Sequence, residues 1–340
     1  MKKLLLLAAL ATLALSAIHA QNTCGDQLKV AQRRFDDGLL EDIPQLLTNC
    51  MKSGFTDEEK TNAYKLLIQT YLFSDNQSKA DEVMLQFLNE FPSYSIANND
   101  PKEFVNLHST YRTKPIFKVE FKGSFIFCMP TLIEPFGTGD VAKIKPTYKP
   151  KLGFAGELNY LNKLYKNFDY SIGVSFTLSN FSYSNSPTEY STVTGDFKYL
   201  YLGFPVAVKY NYRFKGVNLF AKVGFETVYL TKSTVALTRT DNIIGRQEPF
   251  TGTEDITQSQ NKLDIRPLLA VGVAFNWGRN VLNVSAGFKF STMNQLNRSK
   301  MYSNPGLYPK YFFVEDNLLM NQSYISVSFI RSIYKPKKIR

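Results

Sequence analysis

Two hydrophobic periods divide the chain. From about residue 24 to 113 apolar residues recur three or four apart, the spacing of amphipathic helices. Leu28, Ala31 and Phe35 mark a first helix, and Leu39, Ile43, Leu46, Leu47 and Met51 a second. Thr56-Asp57-Glu58-Glu59 is a capping box that starts a third through Ala63, Tyr64, Leu67, Ile68 and Tyr71. Ala80, Met84, Phe87 and Leu88 mark a fourth, and Phe104, Leu107 and Tyr111 a short fifth. The helix pairs, at a spacing of ~34 residues, are similar to tetratricopeptide repeats. Two readings stay open for this unit: a groove that binds a protein partner, or a packed spacer.

From Pro115 the period becomes two, which predicts strands. Phe117, Val119, Phe121, Phe125 and Phe127 alternate with Lys118, Glu120, Lys122 and Ser124. Seven further runs follow, near 152–160, 168–178, 200–210, 219–229, 265–277, 282–290 and 325–329. Each is long enough to cross a bilayer when tilted. Long connections (130–150, 181–196, 232–262, 292–321) alternate with short ones (162–167, 213–216, 278–280), as in outer-membrane barrels. The expected fold is therefore α + β and multidomain. A TPR-like helical periplasmic domain at 21–113 precedes an eight-stranded antiparallel transmembrane β-barrel at 114–334 and a basic tail at 335–340. An even strand number returns both ends of the barrel to the short-turn side, which puts the helical domain in the periplasm.

The N-terminus supports export. Lys2 and Lys3 precede an apolar run from Leu4, and Ile18-His19-Ala20 closes it, so 1–20 reads as a signal peptide. Composition fits aromatic-rich strands: Tyr 20 and Phe 27, with mean hydropathy slightly negative. Charge divides at the same boundary, with 9 Lys and Arg against 14 Asp and Glu at 21–113, and 29 against 15 from 114 on. The basic strand region is matched to lipid phosphates rather than to nucleic acid. The expected partners are outer-membrane lipid or lipopolysaccharide and an envelope protein.

Export permits disulfides, and Cys24 and Cys50 bracket the first helical pair, so they either bridge or stay apart. Cys128 falls in the first strand. On the polar side of the strands lie Glu120, Glu157, Asp169, Lys209, Glu226, Arg266 and Lys289. Eight strands leave an interior just wide enough for side chains, so these charges read as an internal ion-pair network. Catalysis lacks its parts: after cleavage His108 is the one histidine, and no nucleophile elbow, phosphate loop or metal motif is present. Gly137-Thr138-Gly139 reads as plain loop. No cofactor and no enzyme activity are expected.

Tyr199-Leu200-Tyr201-Leu202-Gly203-Phe204-Pro205-Val206-Ala207-Val208-Lys209-Tyr210, followed by Leu219-Phe220-Ala221-Lys222-Val223-Gly224-Phe225, resembles the PorT-like outer-membrane barrels of Bacteroidota. Asp100 to Phe104 and Tyr111 to Ile116 look like the joint between a helical domain and such a barrel. The resemblance implies an outer-membrane protein connected with secretion. The expected function is a non-enzymatic outer-membrane anchor or scaffold whose helical domain binds a partner. The alternatives are a small-solute or ion pore and a soluble exported binding protein.

Overall fold

The computed structural model describes residues 24–136, 146–188, 190–241 and 248–339. The expected signal peptide at 1–20 and Gly137-Thr138-Gly139 lie outside them. The chain divides into two compact units: one holds the residues up to Pro115 together with Tyr334–Arg340, the other Ile116–Ile333.

In the helical unit, α1 (24–36) and α2 (Ile43–Lys52) precede α3 (Asp57–Phe73), α4 (Gln77–Glu90) and α5 (Lys102–Ser109). Pro44 sits in the first turn of α2, where no N–H is required of it. The α3 cap is reciprocal: Glu59 N donates to Thr56 Oγ1 at 3.3 Å and Thr56 N donates to Glu59 Oε2 at 2.9 Å. Two faces of α3 serve two cores. Ala63, Leu66 and Leu67 pack with Ala31, Ile43 and Leu47. Tyr64 and Ile68 pack with Met84, Phe87, Phe104, Leu107 and Tyr111. The basic tail is no separate element. Arg112 N donates to Lys337 O at 2.9 Å, Ile339 N donates to Thr110 O at 2.7 Å, and Lys338 Nζ pairs with Asp81.

Asp100 fastens the turn before α5. Its carboxylate meets Lys65 Nζ at 2.6 Å and accepts from Tyr94 Oη at 2.7 Å and Ala97 N at 2.8 Å. Burial pushes its pKa up, but Lys65, the Ala97 N–H and Tyr94 together outweigh burial and hold it below the usual value. A depressed carboxyl stabilises the fold above its unfolded pKa and stops doing so as pH falls through its folded pKa. Asp100→Ala leaves Lys65 nearly buried without its partner, and should cost about 2–3 kcal/mol at neutral pH. The difference from wild type should shrink in acid urea titrations.

The second unit is one antiparallel sheet: β1 (Phe117–Glu134), β2 (Thr147–Tyr165), β3 (Phe168–Thr188), β4 (Ser191–Phe214), β5 (Val217–Asp241), β6 (Phe250–Asp255), β7 (Leu263–Trp277), β8 (Asn280–Lys289) and β9 (Asn317–Ile333). At the end carrying the short turns, called lower here, β1, β2, β3, β4, β5, β7, β8 and β9 each have two hydrogen-bonded neighbours. The β4–β5 hairpin turns through Lys215 at φ +45° and Gly216 at φ +87°, the left-handed pair that matches strand twist.

The expectation of a plain eight-stranded transmembrane barrel is corrected. The sheet has nine strands, and its upper half does not form a closed wall. Above Phe127 β1 leaves β2 and keeps only β9. Above Tyr229 β5 exchanges β7 for β6. What remains there is an open five-stranded run, β2-β3-β4-β5-β6, and a separate β1–β9 pair. Among the described residues no helix is long and apolar enough to cross a membrane.

Much of the expected loop at 181–196 is also strand, since β3 runs to Thr188 and β4 begins at Ser191. The reason is a reversal of sidedness. In lower β4 the outward residues are apolar (Leu202, Phe204, Val206, Val208) and the inward ones small or charged (Gly203, Ala207, Lys209). In upper β4 the outward residues are Thr192, Thr194, Asp196 and Lys198, while Val193, Phe197 and Tyr199 turn inward. These inward residues, with Phe181, Tyr183, Leu237 and Ile256, form an apolar core completed by Leu307 and Tyr311 of α6 (Leu307–Tyr311) and by Phe313. Pro205 keeps its register opposite Glu226, and the irregularity falls instead at Leu200/Tyr201.

Candidate functional site: a charged interior below an aromatic core

Below the aromatic core, cross-strand register decides which charges meet. Lys122 lies opposite Glu157, Asp169 opposite Lys209, Lys209 opposite Lys222, and Glu226 opposite Arg266. All point inward, since their strand neighbours point out. Glu157 receives Lys122 at 3.1 Å and Lys289 at 3.4 Å, and Lys289 reaches Glu226 at 2.8 Å. Ser175 Oγ donates to Glu226 Oε1. Glu120 accepts from Asn159 Nδ2 at 3.0 Å and Ser328 Oγ at 2.7 Å, with Lys222 at 4.0 Å. The Tyr324 ring lies 4.5 Å from Lys122 Nζ and 5.5 Å from Lys289 Nζ, giving the cations an aromatic face.

Arg266 stands at the boundary with the aromatic core and is wholly buried. Its Nε donates to Asp264 Oδ2 at 2.8 Å and its guanidinium lies 4.3 Å from the Tyr201 ring. Asp264 also accepts from the backbone N–H groups of Thr292 and Met293, each at 3.1 Å.

Toward the lower end the interior opens. A cavity of about 210 Å³ is lined by Lys118, Asp169, Lys209, Asn211, Asn218 and Asn276. Asp169 is held by Lys118 at 3.5 Å and by Asn211 Nδ2 at 3.0 Å. Lys209 sits over the Phe220 ring at 4.0 Å and makes no ion pair among the described residues. Between the cavity and the ion-pair layer, the space bounded by Glu120, Lys122, Lys222 and Asn283 shrinks to about 10 Å³, at most one water.

Glu120, Glu157, Asp169, Lys209, Glu226, Arg266 and Lys289 are thus brought to one interior, and Cys24 and Cys50 form a disulfide in the helical unit. Lys222 has the same strand parity as Glu226 in its run, but parity does not show that it approaches Glu120. Asp264 and Tyr324 lie just before the first alternating residue of their runs, so strand parity passed over them. Cys128 is buried and free in the aromatic core. His108 is buried between Phe104 and Tyr94 at ring separations of 5.8 and 6.3 Å, and burial lowers its pKa, so the ring is neutral packing. Apart from Lys209, most of the interior ionisable groups are engaged with one another, and no group of three metal-ligating side chains occurs among the described residues.

One loop carboxyl is poised differently. Glu315, just before β9, accepts from Gln260 Nε2 in a buried setting, and burial raises its pKa to about 7. The folded state therefore holds a proton that the unfolded chain releases near 4.5. Stability is full below that value and falls as pH rises to about 7. The loss should be roughly 2–3 kcal/mol. Urea midpoints measured across that window should show it in wild type and not in Glu315→Gln.

No family model matches the chain, and no curated protein matches it. Among solved structures it is similar to Neisserial surface protein A at 12% identity, over 64% of this chain and 97% of that one, with a TM-score of 0.31. It is similar to Ail of Yersinia pestis at 11% identity, over 64% and 99%, with a TM-score of 0.25. OprG from Pseudomonas aeruginosa follows at 9% identity, over 65% and 98%, with a TM-score of 0.31. Likeness at this level carries no argument about the chain.

The resemblance to PorT-like proteins of Bacteroidota is therefore corrected, because no family model supports it. The tetratricopeptide likeness finds no matching model either. The outer-membrane anchor or scaffold role, its secretion context, and the outer-membrane location with a periplasmic helical domain all fall with that correction. They rested on the family and on a uniform eight-stranded barrel, and the sheet is nine-stranded and open above.

Proposed function

We propose that the chain is a small-solute-binding protein, and that the solute occupies the lower cavity of the strand unit. Lys209 carries this reading. It is an inward ammonium at the wall of a cavity of mixed polar and apolar lining, with an aromatic face beneath it and no carboxylate paired to it among the described residues, while the neighbouring Asp169 is already held by Lys118 and Asn211. Asn218 and Asn276 add amide donors and acceptors to the same wall. A small polar solute with one anionic group fits this set, its anion on Lys209 and its remaining polar atoms on the amides. The ion-pair layer above closes the cavity, so the solute is held rather than passed through.

Calorimetric titration of the purified full-length chain with inorganic phosphate and with acetate tests this. One or both should bind, and Lys209→Met should weaken binding ~10-fold or more, the worth of one charge-assisted hydrogen bond. No heat with either anion, or equal affinity in Lys209→Met, would remove the reading.

A further inference from the structure

The outward face of the lower strands is almost entirely apolar. Phe121 and Phe125 on β1, Phe176 on β3, Phe204 on β4, Val271 on β7 and Val327 on β9 are all exposed. Among the outward positions of this belt none is charged, and Thr227 and Ser323 are the polar exceptions. Monomeric soluble proteins rarely leave so large a continuous apolar surface in water, because each buried Å² is worth ~25 cal/mol.

What covers the belt follows from its shape. It passes around all eight strands of the lower ring, so a second copy or a protein partner meets one arc and leaves the rest wet. A fluid of apolar chains covers the whole circumference. The height agrees. From Leu200 to Tyr210 the strand rises ~33 Å at ~3.3 Å per residue, or ~25 Å once a tilt of ~40° is allowed, close to the thickness of a hydrocarbon layer. The edges agree as well. Tyr160, Tyr210, Tyr212 and Trp277 line the lower rim, where an aromatic ring with a polar tip suits a hydrocarbon–water boundary. At the upper rim the outward residues turn to Thr194, Asp196 and Lys198. The belt is also grooved. One furrow of about 590 Å³ runs over Ala221, Val223, Leu269, Val271 and Ala286, and one of about 530 Å³ over Gly123, Gly156 and Leu158. In each, small residues between large ones leave channels for flexible chains.

We propose that this belt is clad by the acyl chains of lipid, which fill both furrows and end at the two polar rims. The inference names a partner chemistry and not a compartment, and it does not depend on the solute reading.

Trp277 is the one tryptophan and is 82% exposed at the lower rim, so it reports on the cladding. The full-length chain is mixed with phosphatidylcholine vesicles whose acyl chains carry bromine either near the headgroup or deep in the chain. The chain should float with the vesicles. Trp277 emission should be lost mostly to the shallow bromines, and a Trp277→Phe, Val271→Trp variant should lose it mostly to the deep ones. Should that variant fail to fold, flotation and shallow quenching of the wild type decide. A chain that stays monodisperse without amphiphile, does not float and keeps its emission with both lipids would overturn the proposal, whether it runs as a monomer or as an oligomer covered by its own copies.

Discussion

Replacing Lys289 with Met should destabilise the strand unit more than any other single change in the interior, by about 3–5 kcal/mol. The ammonium lies between Glu226 at 2.8 Å and Glu157 at 3.4 Å, with all three side chains almost wholly buried. Glu157 would keep Lys122, but Glu226 would keep only the Ser175 hydroxyl and the charge of Arg266 beyond it. An unpaired carboxylate at that depth loses hydration with nothing in exchange, and this loss rather than the worth of the ion pair sets the size of the effect. Two outcomes separate these terms. If burial of the lone charge dominates, Lys289→Met combined with Glu226→Gln should recover most of the loss. If the attraction itself dominates, the double variant should be no better than the single one. Urea midpoints of the four proteins complete the cycle.

The interior network was legible because a strand has a period of two. Once Phe117, Val119 and Phe121 are placed on one face, Glu120 and Lys122 fall on the other, and the same parity places Asp169, Lys209, Glu226 and Lys289. Parity gives the face and not the partner. That Lys289 bridges Glu157 and Glu226 depends on registers running through β7, β8 and β9, which no local pattern states. The upper half was misread for a related reason. Ser182, Ser184, Thr192 and Thr194 carry the composition of a loop, and their alternation with Phe181, Tyr183 and Val193 is the sheet pattern with its two faces exchanged. A rule that fixes the apolar face as outward stops reading strand where the core changes sides. β6 was missed because Phe250-Thr251-Gly252-Thr253 holds one large apolar residue and a glycine. The glycine leaves room for a neighbour: a Cβ at Gly252 would stand 2.1 Å from the Tyr311 hydroxyl, which would have to shift. In the helical unit the Thr56–Glu59 capping box and the apolar positions of α3 were visible, but not that those positions divide between two cores. The return of the tail to Thr110 and Arg112 was not visible either, since a backbone pairing across more than two hundred residues leaves no periodicity.

Reduction of Cys24–Cys50 should act on the helical unit by about as much as the loss of a large core side chain. The bridge closes a loop with a sequence separation of 26, and freeing that loop returns chain entropy to the unfolded state worth about 3.5 kcal/mol. The loss should be local at first. α1 is too short to hold as an isolated helix in water, and without the bridge it rests on Leu28, Ala31 and Phe35 against Ile43, Leu47 and Ala63. The other core, built from Tyr64, Phe87, Phe104 and Leu107, makes no use of α1. Hydrogen exchange under reductant should therefore accelerate at the amides of Ala31 and Leu47 while those of Ile68, Met84 and Phe87 stay slow. A Cys24→Ser, Cys50→Ser variant should show the faster pattern with or without reductant. Uniform acceleration through α3 and α4 would mean that the two cores open as one cooperative unit, and that α3, which serves both, transmits the loss from the first to the second.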